Sequence, residues 1–140
     1  RVPTEVVRRD LEPCTIWARR ADLTMIFRNL LDNAVKYSGV EPDVLVDSRW
    51  EGQERVVVRI ADNGRGIPQR LQRKVFGRFV RLGSELERDK PGTGLGLYIV
   101  KTLVDRMRGR IRIRNRNPQP GTIFEVELPR GAPPVEGSNR

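Results

Sequence analysis

Histidine is absent from the 140-residue chain, cysteine occurs once (Cys14), and aromatic residues make up only 6%. Without an imidazole, this segment has no histidine general base, no histidine metal ligand and no residue to carry phosphohistidine. A single thiol cannot close an internal disulfide, which suits a reducing compartment. No stretch approaches the ~18 apolar residues of a membrane span, and no charged-then-apolar leader opens the chain. The first residue is Arg1 and not methionine, as expected of a piece excised from a longer protein. The few aromatics are not interleaved with basic residues as a nucleic-acid stacking platform requires.

Charge, by contrast, is plentiful. Charged residues make up 32%, hydrophobic residues 37%, and the net charge is +9. The length suits one compact domain with its own core, expected over residues 1–128, with residues 129–140 as a flexible, Pro- and Gly-rich tail. A positive excess points to an anionic partner, either nucleic acid or a phosphorylated small molecule. The placement of the arginines argues against nucleic acid. Arg110, Arg112, Arg114 and Arg116 alternate with Ile111, Ile113 and Asn115, the pattern of a half-buried strand with one charged face in water.

Residues 4–9 and 14–19 read as short strands. Leu23, Ile26, Phe27, Leu30, Leu31 and Ala34 then follow a helical rhythm, with Asp22 as the expected N-cap and Ser38-Gly39 as the stop. Strands at 43–50 and 55–61 flank a turn. The stretch 62–92 reads as loop with one or two helical turns, and a second amphipathic helix covers 95–107. Two alternating strands, 110–116 and 122–128, end the order. These elements predict a two-layer α/β (α+β) sandwich: a mixed, mostly antiparallel sheet of about five strands with about three helices on one face.

Four constellations carry chemistry. Asn29, Asn33, Lys36 and Tyr37 form a polar stripe beside the apolar stripe of the first helix, placed to line a cleft. Asparagine is a mediocre helix former, and its amide oxygen is a hard ligand suited to Mg²⁺. Asp62-Asn63-Gly64-Arg65-Gly66 follows a strand, where a carboxylate can accept a hydrogen bond from an exocyclic amine such as adenine's. Its glycines let the backbone turn sharply beside a flat ligand. Phe76 and Phe79, with Arg78 and Arg81, can form local core or anchor a lid whose arginines reach phosphate. Gly92-Thr93-Gly94-Leu95-Gly96-Leu97 opens the second helix, where backbone N–H groups and the positive dipole end favour phosphate. This run fits neither the Rossmann fingerprint nor Walker A.

In order along the chain, these segments resemble the catalytic domains of sensor histidine kinases, members of the GHKL superfamily with a Bergerat-type ATP-binding fold. FRNLLDNAVKYS (27–38) resembles their N box, ADNGRGIP (61–68) the G1 box, VFGRF (75–79) the F box and GTGLGLYIVKTLVDRMRG (92–109) the G2 box. GTIFEVELP (121–129) resembles the closing strand, so the likeness spans about 22–129. The resemblance implies Asn33 as the main Mg²⁺ ligand with Asn29 supporting it, Lys36 at phosphate, and Tyr37 near base and ribose. It implies Asp62 at the adenine amine with Thr122 close by, and Gly64, Gly66 and Ile67 around the base. Phe76 belongs to the same site, residues 80–91 form the ATP lid, and Arg81 reaches the γ-phosphate. Gly92, Thr93, Gly94, Leu95, Gly96 and Leu97 hinge the lid and wrap the phosphates.

Gyrase-type topoisomerases, Hsp90-type chaperones and mismatch-repair ATPases share this fold but place a glutamate four residues before the Mg²⁺-ligand asparagine. Here that position is Asn29, which cannot take a proton at neutral pH, so water attack lacks its base. The resemblance therefore implies Mg-ATP as cofactor and transfer of the γ-phosphoryl to a histidine on a separate dimerisation domain, absent here, for relay to a response regulator. Asn29, Lys36 and Arg81 are the expected catalytic group. The fragment is expected to be a monomer of little activity, and the parent a homodimer with this domain on the cytoplasmic side. An anti-sigma-type serine kinase and a degenerate ATP-binding module are the alternatives. One departure is Arg106-Met107-Arg108-Gly109, where many relatives carry a histidine.

Overall fold

The computed structural model describes residues 6–77 and 95–133. Five strands and two α-helices follow in the order β1 (Val7–Leu11), α1 (Arg20–Lys36), β2 (Val44–Glu51), β3 (Arg55–Ala61), α2 (Gly96–Arg106), β4 (Arg110–Asn115) and β5 (Thr122–Pro129). Two short 3₁₀ turns, Gln69–Leu71 and Lys74–Phe76, lie between β3 and α2. The sheet order is β1-β2-β3-β5-β4; β1 runs parallel to β2 and every other pair is antiparallel. The mixed, mostly antiparallel sandwich is therefore present. Its helical layer, among the described residues, is two α-helices and the two 3₁₀ turns.

Period-two alternation decides which sheet face is buried. On β5, Thr122, Phe124, Val126 and Leu128 are buried, while the residues between them are half-buried. Their partners Ile60, Val58 and Val56 on β3 share that face. Helix α1 covers it with Ile26, Leu30 and Ala34, and α2 with Val100, Leu103 and Val104. Ile26, Leu30, Val100 and Val104 are fully buried.

The opposite face has no helix among the described residues and is a lattice of charge. Register places Arg112 beside Glu125, Glu125 beside Arg59, and Arg59 beside Asp47. Glu125 pairs with Arg59 at 3.1 Å and stands 3.7 Å from Arg114. Arg55 Nη1 lies 3.0 Å from Glu127 Oε2 as an ion pair, though without hydrogen-bond alignment. Much of the basic excess on β4 is thus one side of a cross-strand charge pattern.

Three local expectations are corrected. Residues 14–19 do not form a strand: Pro13 offers no N–H, and Glu12 takes the edge contacts instead. Its N–H donates to the Ser48 carbonyl at 3.0 Å, and its carboxylate accepts from the Trp50 N–H at 2.6 Å. Helix α1 begins two residues before Asp22, because the Arg19 carbonyl already accepts from the Asp22 and Leu23 N–H groups. Asp22 instead places its charge in the first turn, where the helix dipole favours it. Arg116 lies beyond β4 and is half-buried, with its guanidinium turned inward and not to water.

Candidate functional site

The polar flank of α1, the loop after β3 and the start of α2 converge at one end of the molecule. Each junction has an identifiable cause. A Cβ at Gly64 would collide with the Tyr37 carbonyl oxygen, so only glycine lets the loop after β3 touch the end of α1. Asn63, between Asp62 and Gly64, staples the same corner. Its Oδ1 accepts from the Gly39 and Asp43 N–H groups at 3.0 and 3.1 Å, and its Nδ2 donates to the Glu41 carbonyl at 2.7 Å. Gly66 sits at φ +83°, in the left-handed region, and the chain then turns Ile67 into the core.

Asp62 is the central polar group. It is only 3% exposed, and Thr122 beside it 4%. Asp62 and Thr122 are joined through the backbone, Asp62 N–H to Thr122 carbonyl at 2.9 Å. Asp62 Oδ1 accepts from the Gly64 N–H at 2.8 Å and from the Thr122 N–H at 3.2 Å. Oδ2 accepts no hydrogen bond among the described residues. Burial pushes the carboxyl above its ordinary value, opposed by the Gly64 and Thr122 N–H groups and by the charge of Arg116. One oxygen is thus locked to backbone, and the other keeps its acceptor capacity for a ligand.

On α1, Asn29 Nδ2 donates to the Met25 carbonyl at 2.7 Å, one turn back. Asn29 Oδ1 lies against Gly96, so close that a Cβ there would stand 2.9 Å from it. Helix α2 therefore begins directly beside the asparagine stripe. Asn33 is half-buried, and its amide makes no hydrogen bond to any described residue. Lys36 Nζ stands 5.0 Å from the centroid of the Tyr37 ring, within cation–π range. Leu95 caps α2 by accepting from the Ile99 N–H at 2.9 Å, and Leu97 packs on the core. Phe76 is core-facing, edge-on to Phe124 with ring centroids 6.5 Å apart.

The structure thus brings Asn29, Asn33, Lys36, Tyr37, Asp62, Gly64, Gly66, Ile67, Leu95, Gly96 and Thr122 to one end. Arg78, Phe79, Arg81, Gly92, Thr93 and Gly94 lie outside the described residues. No cluster of three or more His, Cys, Asp or Glu side chains able to hold a metal occurs among the described residues. Among the described residues, the site offers a divalent cation neutral amide oxygen beside its ligand's own phosphates, a donor set that fits Mg²⁺. Three residues at the site escaped the sequence reading. Asn63 passed as part of a turn, and Asn115 and Arg116 as the end of an alternating strand.

A separate apolar cleft of about 420 Å³ flanks the other side of the α1 core stripe, lined by Leu23, Phe27, Leu31, Val46 and Val58, with Cys14 at its rim. Burial raises the Cys14 thiol above its ordinary value, so it is not activated as a nucleophile.

Residues 18–132 match the family described as histidine kinase-, DNA gyrase B- and HSP90-like ATPase. The chain is 42% identical over 110 residues to the sensor histidine kinase AruS of Pseudomonas aeruginosa, covering 76% of this chain and 11% of that protein. It is 40% identical over 130 residues to the histidine-protein kinase/phosphatase MprB of Mycolicibacterium paratuberculosis, covering 90% of this chain and 24% of the relative. It thus spans a quarter or less of these relatives' length. Among solved structures, a mycobacterial sensor histidine kinase MprB superposes with a TM-score of 0.78 at 32% identity, covering 88% of this chain and 80% of that one. Full-length ShkA in complex with AMPPNP gives 0.74 at 27% identity, covering 87% of this chain and 25% of that one. The ordered boxes, the five-stranded sheet and these matches together place the chain in the histidine kinase-, DNA gyrase B- and HSP90-like ATPase family, as a catalytic domain of the sensor histidine kinase type.

Proposed function

We propose that this domain binds Mg-ATP at the α1–β3–α2 end and donates the γ-phosphoryl group to a histidine on a separate dimerisation domain of the same polypeptide, for relay to a response regulator. The observation that carries the nucleotide reading is the Asp62 carboxylate. It is buried, tied through Oδ1 to two backbone N–H groups and left with Oδ2 as an acceptor. An exocyclic amine on a flat base beside Gly64 and Gly66 satisfies that oxygen, and Thr122, Ile67 and Tyr37 border the same space. Phe76 supports this wall from the core.

Phosphates then lie toward the N-terminus of α2, whose first amides and dipole favour negative charge. Lys36 supplies a further positive charge, and Arg81, Gly92, Thr93, Gly94, Leu95, Gly96 and Leu97 complete the phosphate side. Bound Mg²⁺ supplies charge neutralisation across the phosphate oxygens. The Asn33 amide oxygen is the residue here that fits it, with Asn29 in support.

Asn29 favours transfer over hydrolysis. Its amide is held by the Met25 carbonyl and has no basicity at neutral pH, so it cannot deprotonate an attacking water. The attacking group has to arrive already nucleophilic. A neutral imidazole meets that requirement, and this chain has none of its own. In this step the P–O bond to ADP breaks as the P–N bond to imidazole forms and the other ring nitrogen gives up its proton, and the roles proposed for Lys36, Arg81 and the α2 amides are to meet the developing charge. The parent protein is expected to be a homodimer with this domain on the cytoplasmic side, and no helix among the described residues is long and apolar enough to cross a membrane. No role for nucleic acid is proposed.

The test is transfer of labelled γ-phosphate from Mg-ATP in the full-length parent. Acid-labile, base-stable label on a histidine outside residues 1–140 is expected. Acid-stable phosphoserine on a partner protein would replace this reading with a serine kinase.

A further inference from the structure

The β4–β5 hairpin end holds the Asp62 loop in place with contacts that neither core packing nor the sheet ladder requires. Asn115, the last residue of β4, forms a paired hydrogen bond with the backbone of Ile67. The Ile67 N–H donates to Asn115 Oδ1 at 2.8 Å, and Asn115 Nδ2 donates to the Ile67 carbonyl at 3.0 Å. A side-chain amide here stands in for a strand partner, supplying one acceptor and one donor to a segment that has no strand beside it. The same Oδ1 faces Gly66, where an added Cβ would stand only 2.7 Å from it. The next residue acts on the other end of the loop. Arg116 Nη1 donates to the Asp62 carbonyl at 2.9 Å, while the Arg116 N–H holds the Gly121 carbonyl at 2.9 Å. Residues 62–67 are thus fastened at both ends to one hairpin, and between the fastenings lie Asp62, Gly64 and Gly66.

We propose that Asn115 is a positioning residue for the base-binding loop: by gripping both the backbone N–H and the backbone carbonyl of Ile67, it fixes the wall against which the purine lies and the direction of the Asp62 carboxylate. This rests on the nucleotide reading above. Both of its hydrogen bonds are half-buried and the residue lies at the solvent edge of the sheet, so their loss is expected to leave the fold intact. What depends on them is the placement of the loop, to within the few tenths of an ångström that a hydrogen bond to a base tolerates.

Only a side chain with a donor and an acceptor in fixed opposition makes both contacts. Aspartate, of the same shape, keeps the bond from the Ile67 N–H but sets its second oxygen against the Ile67 carbonyl. Asn115→Ala and Asn115→Asp are therefore both expected to weaken base binding, while leaving the phosphate side untouched.

The experiment is calorimetric titration of this chain and both variants with Mg-AMPPNP and, separately, with Mg-tripolyphosphate, which has no base. Thermal unfolding of each unliganded protein accompanies it. Loss of one or two neutral hydrogen bonds gives an expected weakening for AMPPNP of about five- to thirtyfold. Tripolyphosphate affinity is expected to stay within about twofold. AMPPNP affinity unchanged in both variants overturns the proposal while leaving the nucleotide reading intact. Parallel losses for both ligands with a lowered unfolding temperature also overturn it, since Asn115 is then a stability residue. Failure of the unsubstituted chain to bind AMPPNP overturns the nucleotide reading, and this proposal with it.

Discussion

Exchanging Asp62 for Asn separates recognition from folding. Asp62 Oδ1 serves two backbone donors, Gly64 N–H at 2.8 Å and Thr122 N–H at 3.2 Å, and an asparagine Oδ1 can serve both. Those donors also choose the amide orientation, because the reverse would face three donors together. The new Nδ2 is thereby pushed into the position of Oδ2, where it meets an adenine amine as donor against donor. A hydrogen bond to a charged acceptor contributes about 1.5–3 kcal/mol, so Mg-AMPPNP affinity is expected to fall roughly 10- to 150-fold.

Stability is expected to move the other way. Burial raises the Asp62 carboxyl above its unfolded value, so the fold holds that proton more tightly than the unfolded chain does. That contribution is complete below the unfolded value of about 3.9 and is lost as pH rises through the folded value. At neutral pH the buried charge is a residual cost that asparagine lacks. Asp62→Asn is therefore expected to unfold at the same temperature as the parent or higher at pH 7, with any advantage vanishing in acid. Titration with AMPPNP and a GTP analogue, beside thermal unfolding at pH 7 and 4, checks both halves. Equal losses for adenine and guanine nucleotides, or a clear drop in unfolding temperature at pH 7, would refute the reasoning.

Other expectations follow from the same geometry. Asn33→Ala should abolish the Mg²⁺ dependence of AMPPNP binding without altering the circular dichroism spectrum; an unchanged Mg²⁺ titration removes Asn33 from the metal. Gly64→Ala, which drives a Cβ into the Tyr37 carbonyl, should cost about 1–3 kcal/mol in urea unfolding and weaken nucleotide binding as well. Leu30→Ala, at a fully buried α1 position, should cost about 2–5 kcal/mol, and a loss under 1 kcal/mol would mean that α1 is not anchored as described. In the unsubstituted chain, AMPPNP affinity should weaken as pH falls through the raised Asp62 value, and Asp62→Asn should lack that component.

Elements whose signal is local periodicity were legible in the sequence. The stripe of Ile26, Leu30 and Ala34 marks the buried face of α1, and alternation on β5 marks its inward residues. The boxes were legible because their order carries information that no single motif has. Asp62 was visible as an acid at a strand end. That one of its oxygens is locked by Gly64 and Thr122 was not, since Thr122 lies sixty residues away and the contact is made by backbone. Asn115 and Arg116 were hidden for a related reason. Alternation continues smoothly through them, whereas in space the strand ends at Asn115 and both side chains turn to the loop after β3. The expected strand at 14–19 failed because apolar content cannot reveal that the β2 edge is already engaged by Glu12.

Everything proposed for the Asp62 end depends on an adenine-specific, Mg²⁺-dependent nucleotide site there. Thermal unfolding of this chain with Mg²⁺ and AMPPNP, against a GTP analogue and against buffer, tests it most directly. A ligand at about 100 times its dissociation constant adds about 2.7 kcal/mol, a shift of roughly 5–10 °C for a domain of this size. A shift of that order with AMPPNP, absent with the GTP analogue and lost when Mg²⁺ is removed, is the predicted result. No shift at millimolar AMPPNP, or an equal shift with both nucleotides, would contradict it.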